Sequence, residues 1–218
     1  MKQLIAGITK FQNEVFPKNR HLYEQLAAGQ QPHTLFIGCA DSRLMPNEFT
    51  QTKPGELFIC RNAGNIVPPY GDVLGGVSAT VEYAVQILKV ENVVVCGHSD
   101  CGAMRALMKP EEIRQYRAVS KWIQQAERVA AVAREIHADL NERDYLDRLI
   151  EENVITQLDN LITYPGVAAR MRRGDLSLHG IVFDIATGTV KMLDRSTYSF
   201  RPVNEFAEFS EELAMAHK

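Results

Sequence analysis

The sequence has few of the features that mark specialised classes of protein. Its 218 residues include only four cysteines, the formal net charge is only −3, and no apolar run approaches the roughly 18 residues that a membrane span needs. Four cysteines are too few for a disulfide scaffold, and the small charge excludes a general polyanion binder. We therefore predict free thiols, no nucleic-acid partner and no membrane partner. The first residues lack the long apolar run of a signal peptide, which predicts a cytoplasmic protein.

The composition that is present is that of an ordinary globular protein. Hydrophobic residues make up 45% and charged residues 23% of the chain, and no linker or repeat divides it. We predict a single domain over residues 1–218 that carries an amino-terminal helical arm over about residues 1–30. The first helix of that arm places Leu4, Ile8, Phe11 and Val15 on one apolar face that needs a cover, and Pro17 is expected to end it.

The order of apolar patterns predicts an α/β fold. Three short runs are apolar on both faces, as in parallel strands covered by helices on both sides, and helical patterns separate or follow them. A late alternating segment around Ile181 to Ile185, followed by Thr187-Gly188, predicts one added antiparallel strand at the sheet edge. The predicted strands cover residues 34–38, 57–60 and 93–96, and the two longest predicted helices cover 119–137 and 143–162.

Two polar segments directly follow predicted parallel strands. Cys39 follows the first strand, and His98 and Cys101 follow the third. Because ligands bind outside the carboxyl ends of parallel strands, these segments can meet in space. Two thiolates and one imidazole suit zinc, and three protein ligands with one open position indicate a catalytic zinc site. The alternative is that both cysteines are ordinary buried thiols, but the His-x-x-Cys spacing favours the metal.

Asp41 and Arg43 form a second constellation just past the first strand. They could be a surface ion pair of little energetic value. Beside zinc, however, Arg43 could hold the Asp41 carboxylate ionised by a bidentate contact, and Asp41 could accept a hydrogen bond from the water that zinc activates.

In combination, these motifs resemble the β-class carbonic anhydrases. The resemblance rests on Cys39-x-Asp41-x-Arg43 with His98-x-x-Cys101, and it extends through residues 61–65, 82–84 and 179–184. It is closest to a plant-like bacterial subgroup that includes members associated with cyanate metabolism. It implies one zinc ion per chain held by Cys39, His98 and Cys101, with Asp41 and Arg43 as the catalytic dyad.

The resemblance also implies a substrate pocket and an assembly. Gln30, Phe58 and Tyr83 match the family's substrate-pocket positions, although Phe58 could equally be a core residue, Tyr83 part of a helical stripe and Gln30 a loop residue. The family's basic unit is a dimer with exchanged amino-terminal arms. A homodimer is therefore expected, and a tetramer or octamer stays possible.

Some bacterial relatives hold an inhibitory bicarbonate with Trp, Arg and Tyr side chains. The matching residues here are Phe36, Arg61 and Phe183, so two of the three polar anchors are absent. We therefore expect a site without this regulation, in which Arg43 holds Asp41.

The expected reaction is the reversible hydration of carbon dioxide to bicarbonate and a proton. Zinc lowers the pKa of water so that hydroxide is available near neutral pH. Two thiolate ligands reduce the effective zinc charge, which favours activity at alkaline pH. Two alternatives remain at this point. One is a hydrolase of a related heterocumulene such as carbon disulfide, and the other is a non-catalytic zinc or bicarbonate-binding module.

Overall fold

The fold is built around one sheet, in a computed structural model that describes residues 1–72 and 74–206. The strands in this part of the chain are β1 (Thr34–Cys39), β2 (Leu57–Asn62), β3 (Asn92–His98), β4 (Ser177–Phe183), β5 (Val190–Asp194) and β6 (Ser199–Pro202). They lie in the order β2-β1-β3-β4-β5-β6. The pairs among the first four are parallel, and β4-β5 and β5-β6 are antiparallel. The mostly parallel sheet is confirmed, but two antiparallel strands follow it where one was predicted.

Helices cover both faces of this sheet. The α-helices of the described residues are α1 (Lys2–Lys10), α2 (Arg20–Ala27), α3 (Pro46–Phe49), α4 (Gly76–Glu82), α5 (Gly102–Met108), α6 (Pro110–Ile113), α7 (Arg117–Ile123), α8 (Glu127–His137), α9 (Glu142–Ile162) and α10 (Pro165–Arg173). Apolar residues of α4 and α10 form a core on one face of the sheet, and those of α5, α7 and α8 form a core on the other. Helix α9 contributes to both cores. Along β1, Leu35 and Ile37 belong to the first core and Phe36 to the second, which explains why this strand is apolar throughout.

Helix α9 approaches the sheet closely because two strand positions lack side chains. A Cβ atom on Gly97 would lie 2.9 Å from a methyl group of Val154, and one on Gly180 would lie 2.7 Å from the other methyl group of the same valine. These two glycines therefore allow α9 to lie directly on β3 and β4. The long helix consequently packs behind the carboxyl end of β3, where His98 lies.

One predicted helix is interrupted, and one predicted helix end is found where it was expected. The helix predicted over residues 119–137 is broken by a 3-10 turn at Gln124–Ala126, with Ala126 in a non-helical conformation (φ −100°, ψ 15°). No glycine or proline marks this break, which places both Ile123 and Ala126 in the core. The first helix of the arm ends as expected: α1 continues as a π-helical turn over Phe11–Val15 and stops just before Pro17. Pro17 begins a 3-10 turn, where proline is tolerated because the first turn leaves its missing N–H unused.

The amino-terminal arm has no buried residue in α1, in α2 or in the turns between them. Leu4, Ile8, Phe11 and Val15 are 65%, 57%, 39% and 40% exposed, so no described residue of the same chain covers the apolar face of the arm. Among the described residues, no helix combines the length and hydrophobicity required to cross a bilayer. The single-domain organisation stays a prediction, and its last residues, 207–218, lie outside the described part.

Candidate metal centre

Three potential metal ligands meet where two neighbouring parallel strands end. Cys39 is the last residue of β1, His98 is the last residue of β3, and Cys101 is the N-cap of α5. Because β1 and β3 are adjacent and parallel, their carboxyl ends lie side by side. The ligand atoms of the three residues all lie within 4.8 Å of one another, and the two sulfurs are 4.0 Å apart. All three side chains are buried.

Within the described part of the chain, one ring nitrogen of His98 has a hydrogen-bond partner and the other has none. Nδ1 lies 2.9 Å from the backbone carbonyl oxygen of Ser99, which can only accept, so Nδ1 carries a proton; in the neutral imidazole, Nε2 then keeps its lone pair. Nε2 is buried and has no hydrogen-bond partner among the described residues. Buried polar atoms are rarely left without a partner, so this lone pair fits a metal ligand. Two sulfurs and this nitrogen form a donor set that suits zinc and leaves one coordination position open.

The two thiols are electrostatically coupled. The contact with Cys101 is the largest cause of a lowered pKa at Cys39, to about 4, and the backbone N–H of Gly64, 3.4 Å from the Cys39 sulfur, acts in the same direction. The same contact, followed by burial, raises the pKa of Cys101. One sulfur is thus readily available as a thiolate, and a cation that binds both must release the proton of the other.

Asp41 and Arg43 form a bidentate ion pair beside these ligands. Arg43 Nε donates to Asp41 Oδ1 at 2.9 Å, and Nη2 donates to Oδ2 at 2.7 Å. The backbone N–H of Arg43 also donates to Oδ1 at 2.9 Å. The hydrogen bonds from the Arg43 side chain are the largest cause that holds the pKa of Asp41 well below its usual range. Asp41 Oδ2 lies 3.9 Å from Nε2 of His98, so an ionised carboxylate of fixed orientation borders the metal-binding group.

Comparisons with known proteins agree with this chemistry. A family profile described as carbonic anhydrase matches residues 34–190. The chain is 47% identical to a carbonic anhydrase of Pseudomonas aeruginosa over 208 residues, which cover 95% of this chain and 94% of that protein. It is 49% identical to carbonic anhydrase 1 of Escherichia coli O157:H7 over 205 residues, which cover 93% and 92% of the two chains. The solved structure of the β-carbonic anhydrase CcaA matches with a TM-score of 0.91 at 42% identity and covers 93% of this chain and 91% of that one.

The chain belongs to the β-carbonic anhydrase family. The resemblance seen in the motifs is therefore confirmed, and so are the fold class and the use of zinc, for which the Cys39, His98 and Cys101 group is suitably arranged.

In this β-carbonic anhydrase, Arg61 holds the backbone that connects the first cysteine to the dyad. Its Nε donates to the carbonyl oxygen of Cys39 at 2.9 Å, and its Nη2 donates to the carbonyl oxygen of Asp41 at 2.6 Å. From the sequence, Arg61 is expected only to match an anion anchor of regulated relatives. Its two donors to the main chain fix the turn that carries Asp41 past the end of β1.

Sequence reasoning missed a polar stripe on α9 that supports the same region. Asn153 donates to the carbonyl oxygen of Gly64 at 2.9 Å, Gln157 accepts from the N–H of Val67 at 2.9 Å, and Asn160 donates to the Val67 carbonyl oxygen at 2.9 Å. All three polar side chains are buried. They satisfy the backbone of the loop whose Gly64 N–H contacts the first cysteine. The sequence signal that could have identified them is their spacing of four and three residues, which places them on one face of α9 among apolar residues.

The three predicted pocket residues lie away from the metal-binding group within one chain. Phe58 and Tyr83 stack on each other with ring centroids 5.8 Å apart. Phe58 lies opposite Leu35 in the β1-β2 register. Leu35 precedes Cys39 by four residues, so Phe58 lies roughly 13 Å from Cys39 along the strand direction. Gln30 precedes β1 and lines a surface depression at the amino ends of β1 and β2. A single chain therefore does not bring this trio to the metal ligands.

The ring of Phe49 lies between Phe36 and Phe183, the two residues that match the anion anchors of regulated relatives. The ring centroid of Phe49 lies 6.0 Å from that of Phe36 and 4.8 Å from that of Phe183, onto which it stacks. Phe36 is only 1% exposed. None of these three rings offers a hydrogen-bond donor to an anion.

Proposed function

We propose that this chain catalyses the reversible hydration of carbon dioxide to bicarbonate and a proton, with one zinc ion per chain held by Cys39, His98 and Cys101. The observation that carries the proposal is the buried Nε2 of His98, which has no hydrogen-bond partner in the part of the chain that the structure describes, lies in a group with two sulfurs and borders an ionised carboxylate. Zinc, when bound, supplies a Lewis acid that makes water nucleophilic near neutral pH.

In this proposal Asp41 orients the attacking water and Arg43 keeps Asp41 ready to do so. An ionised carboxylate can only accept hydrogen bonds, so it selects the orientation in which the O–H group of the nucleophile points at Asp41. Arg43 binds both carboxylate oxygens, which opposes protonation and rotation of the side chain. The pair thus supplies a fixed acceptor and consumes no proton.

We further propose that a second copy of the chain completes the substrate pocket. Phe58 lies on β2, which is the outer strand of the sheet, and its partner Tyr83 is 41% exposed. The amino-terminal arm also has an apolar face that residues 1–72 and 74–206 of its own chain leave exposed. A homodimer formed through β2 and the arms would bury these surfaces and could carry Gln30, Phe58 and Tyr83 of one copy to the metal ligands of the other. Whether such dimers associate further into tetramers or octamers stays a prediction.

Complementation between two variants tests this arrangement. Cys39→Ala removes a metal ligand, and Tyr83→Ala removes a pocket wall. If the pocket is completed by the partner, a mixed dimer contains one site with both defects and one site with neither. Activity of the reassociated mixture should then exceed the sum of the separate variants. The matched control is a mixture of Cys39→Ala with Tyr198→Ala, since Tyr198 is an exposed tyrosine near the opposite edge of the sheet. A mixture no more active than the separate variants would contradict a pocket shared between copies.

Stopped-flow measurement of carbon dioxide hydration tests the function itself. The zinc-loaded protein should accelerate hydration at pH 8 to 9 and should not hydrolyse carbon disulfide at a comparable rate. Full zinc content without hydration activity would contradict the proposal and favour the binding module. The cytoplasmic location stays a prediction, supported by four free thiols, as expected in a reducing compartment.

A further inference from the structure

Asp100 occupies an unusual position between two of the metal-binding residues. It follows β3 by two residues and has a positive φ of 56°, which only a few residue types besides glycine tolerate readily. This conformation turns both its carbonyl group and its carboxylate toward the dyad. Its carbonyl oxygen accepts from Nη2 of Arg43 at 3.3 Å, and its Oδ2 accepts from Nη1 of Arg43 at 3.2 Å.

The guanidinium of Arg43 therefore donates hydrogen bonds to two aspartates, along two different edges of the group. One edge donates through Nε and Nη2 to Asp41, only two residues away in the chain. The other edge reaches across to Asp100, 57 residues away, and connects the dyad to the loop that carries Cys101. The Arg43 side chain is 44% exposed, so little packing would restrain it without this second contact.

Arg105 holds the other oxygen of the same carboxylate. It lies in the last turn of the short helix α5 and forms an ion pair with Asp100 Oδ1. The result is a row of alternating charges from Asp41 through Arg43 and Asp100 to Arg105. Single exposed ion pairs contribute little, but a carboxylate bound by two arginines and set on a fixed loop is restrained in direction.

We propose that Asp100 is a positioning residue that holds Arg43 in register with Asp41, and that Arg105 supports it from the other side. This proposal rests on the proposed function, since it assigns how the orientation of the Asp41 acceptor is maintained. Asp100 acts through Arg43 and contacts neither substrate nor product.

A double-mutant cycle between Asp100 and Arg43 distinguishes this role from a general structural one. Asp100→Gly keeps the positive φ accessible and removes the carboxylate, whereas Asp100→Asn keeps an acceptor oxygen. In the wild-type background we expect Asp100→Gly to lower kcat about fivefold, which corresponds to the largest free energy typical of an exposed charge pair. Asp100→Asn should retain most of the wild-type kcat. In the Arg43→Ala background, the same glycine substitution should change kcat by less than about twofold, because the group through which it acts is already absent.

The control and the second readout separate this proposal from the proposed function. Asp159→Asn, which removes the charge from the exposed contact with Arg128, should have no effect. The visible spectrum of the cobalt-loaded protein at one fixed pH reports the metal's surroundings without requiring turnover. The spectrum of Asp100→Gly should differ from that of the wild type. The spectrum of the double variant Arg43→Ala with Asp100→Gly should equal that of Arg43→Ala alone. If no variant or wild type hydrates carbon dioxide, the proposed function fails while the cobalt cycle still tests Asp100.

Arg105→Met probes the same row of charges from outside the ligand loop. It should lower kcat less than Asp100→Gly does, and only when Arg43 is present. Equal effects of Asp100→Gly in both Arg43 backgrounds, or a wild-type kcat and cobalt spectrum in Asp100→Gly at full metal content, would overturn the proposal.

Discussion

Replacing Asp41 by asparagine tests the dyad with almost no change in side-chain shape. Both carboxylate oxygens of Asp41 accept from Arg43, at 2.9 and 2.7 Å. In Asp41→Asn, one of these acceptors becomes an amide group that faces an arginine donor, and the other loses its charge. The bidentate contact is therefore broken, while the three metal-binding side chains remain unchanged.

The size of the effect follows from the charge and exposure of the pair. Hydrogen bonds to charged groups contribute about 1.5 to 3 kcal/mol. The Asp41 side chain is 16% exposed and that of Arg43 is 44% exposed, so solvent screens the pair. We therefore use the lower part of that range, about 1.5 to 2 kcal/mol, which corresponds to a roughly 10- to 30-fold loss in kcat/KM.

Stopped-flow hydration between pH 7 and 9, with zinc content measured on the same samples, is the appropriate assay. Asp159→Asn serves as the control, since the side chain of Asp159 is exposed and lies 3.4 Å from that of Arg128. Asp41→Asn should retain zinc and lose rate at every pH in this range. Wild-type turnover at full zinc content would refute the catalytic role of the dyad.

The same variant predicts a pH dependence of stability in the metal-free protein. The pKa of Asp41 is lowered in the folded state, mainly by Arg43, so ionisation of this group favours folding. Its contribution is complete above the pKa of an unfolded aspartate, about 3.9, and is lost as pH falls through the lower folded value. The difference in Tm between wild type and Asp41→Asn should be constant from about pH 7 to about pH 5 and shrink below about pH 4. A difference that stays constant far below pH 4 would contradict the lowered pKa.

Three further predictions concern the scaffold and its regulation. Gln157→Leu leaves a buried loop N–H without an acceptor and should lower stability by about 1 to 3 kcal/mol, which thermal unfolding can measure. Gly180→Ala should lower stability by about 1 to 3 kcal/mol by crowding α9. Gly76→Ala, at the first residue of α4 and with nothing within 4 Å of the added methyl group, should not destabilise the protein, and equal Tm shifts would contradict the close approach of α9. Because Phe36 and Phe183 offer no donor, bicarbonate should inhibit hydration without cooperativity between pH 6.5 and 9, and a steep cooperative loss at low pH would contradict this.

The central strands and the metal-binding group were predictable because local signals determine them. β1 and β3 are apolar on both faces, and Cys39 and His98 are their last residues. The carboxyl ends of adjacent parallel strands must lie together, so strand order alone brings these two residues close. The motif spacing then places Cys101 at the start of the next helix.

The features that escaped prediction depend on tertiary contacts. The break before α8 has no local breaker and is stabilised by burial of Ala126. Strand β6 is only four residues long and is defined by its pairing with β5. In the sequence, the amide side chains of Asn153, Gln157 and Asn160 could equally belong to an exposed face of α9. Only the structure shows that they bind the backbone of a buried loop. The role of Asp100 was equally invisible, since it depends on a contact with a residue 57 positions away.

Metal analysis of wild type and Cys39→Ala, combined with X-ray absorption at the zinc edge and the hydration assay, tests the central claim most directly. Wild type should bind one zinc per chain, with two sulfur and one nitrogen ligands from the protein, and should hydrate carbon dioxide. Cys39→Ala should lose zinc and activity together, because two remaining ligands cannot hold the ion tightly. Full zinc occupancy and activity in Cys39→Ala, or a wild-type zinc site without sulfur ligands, would contradict the account.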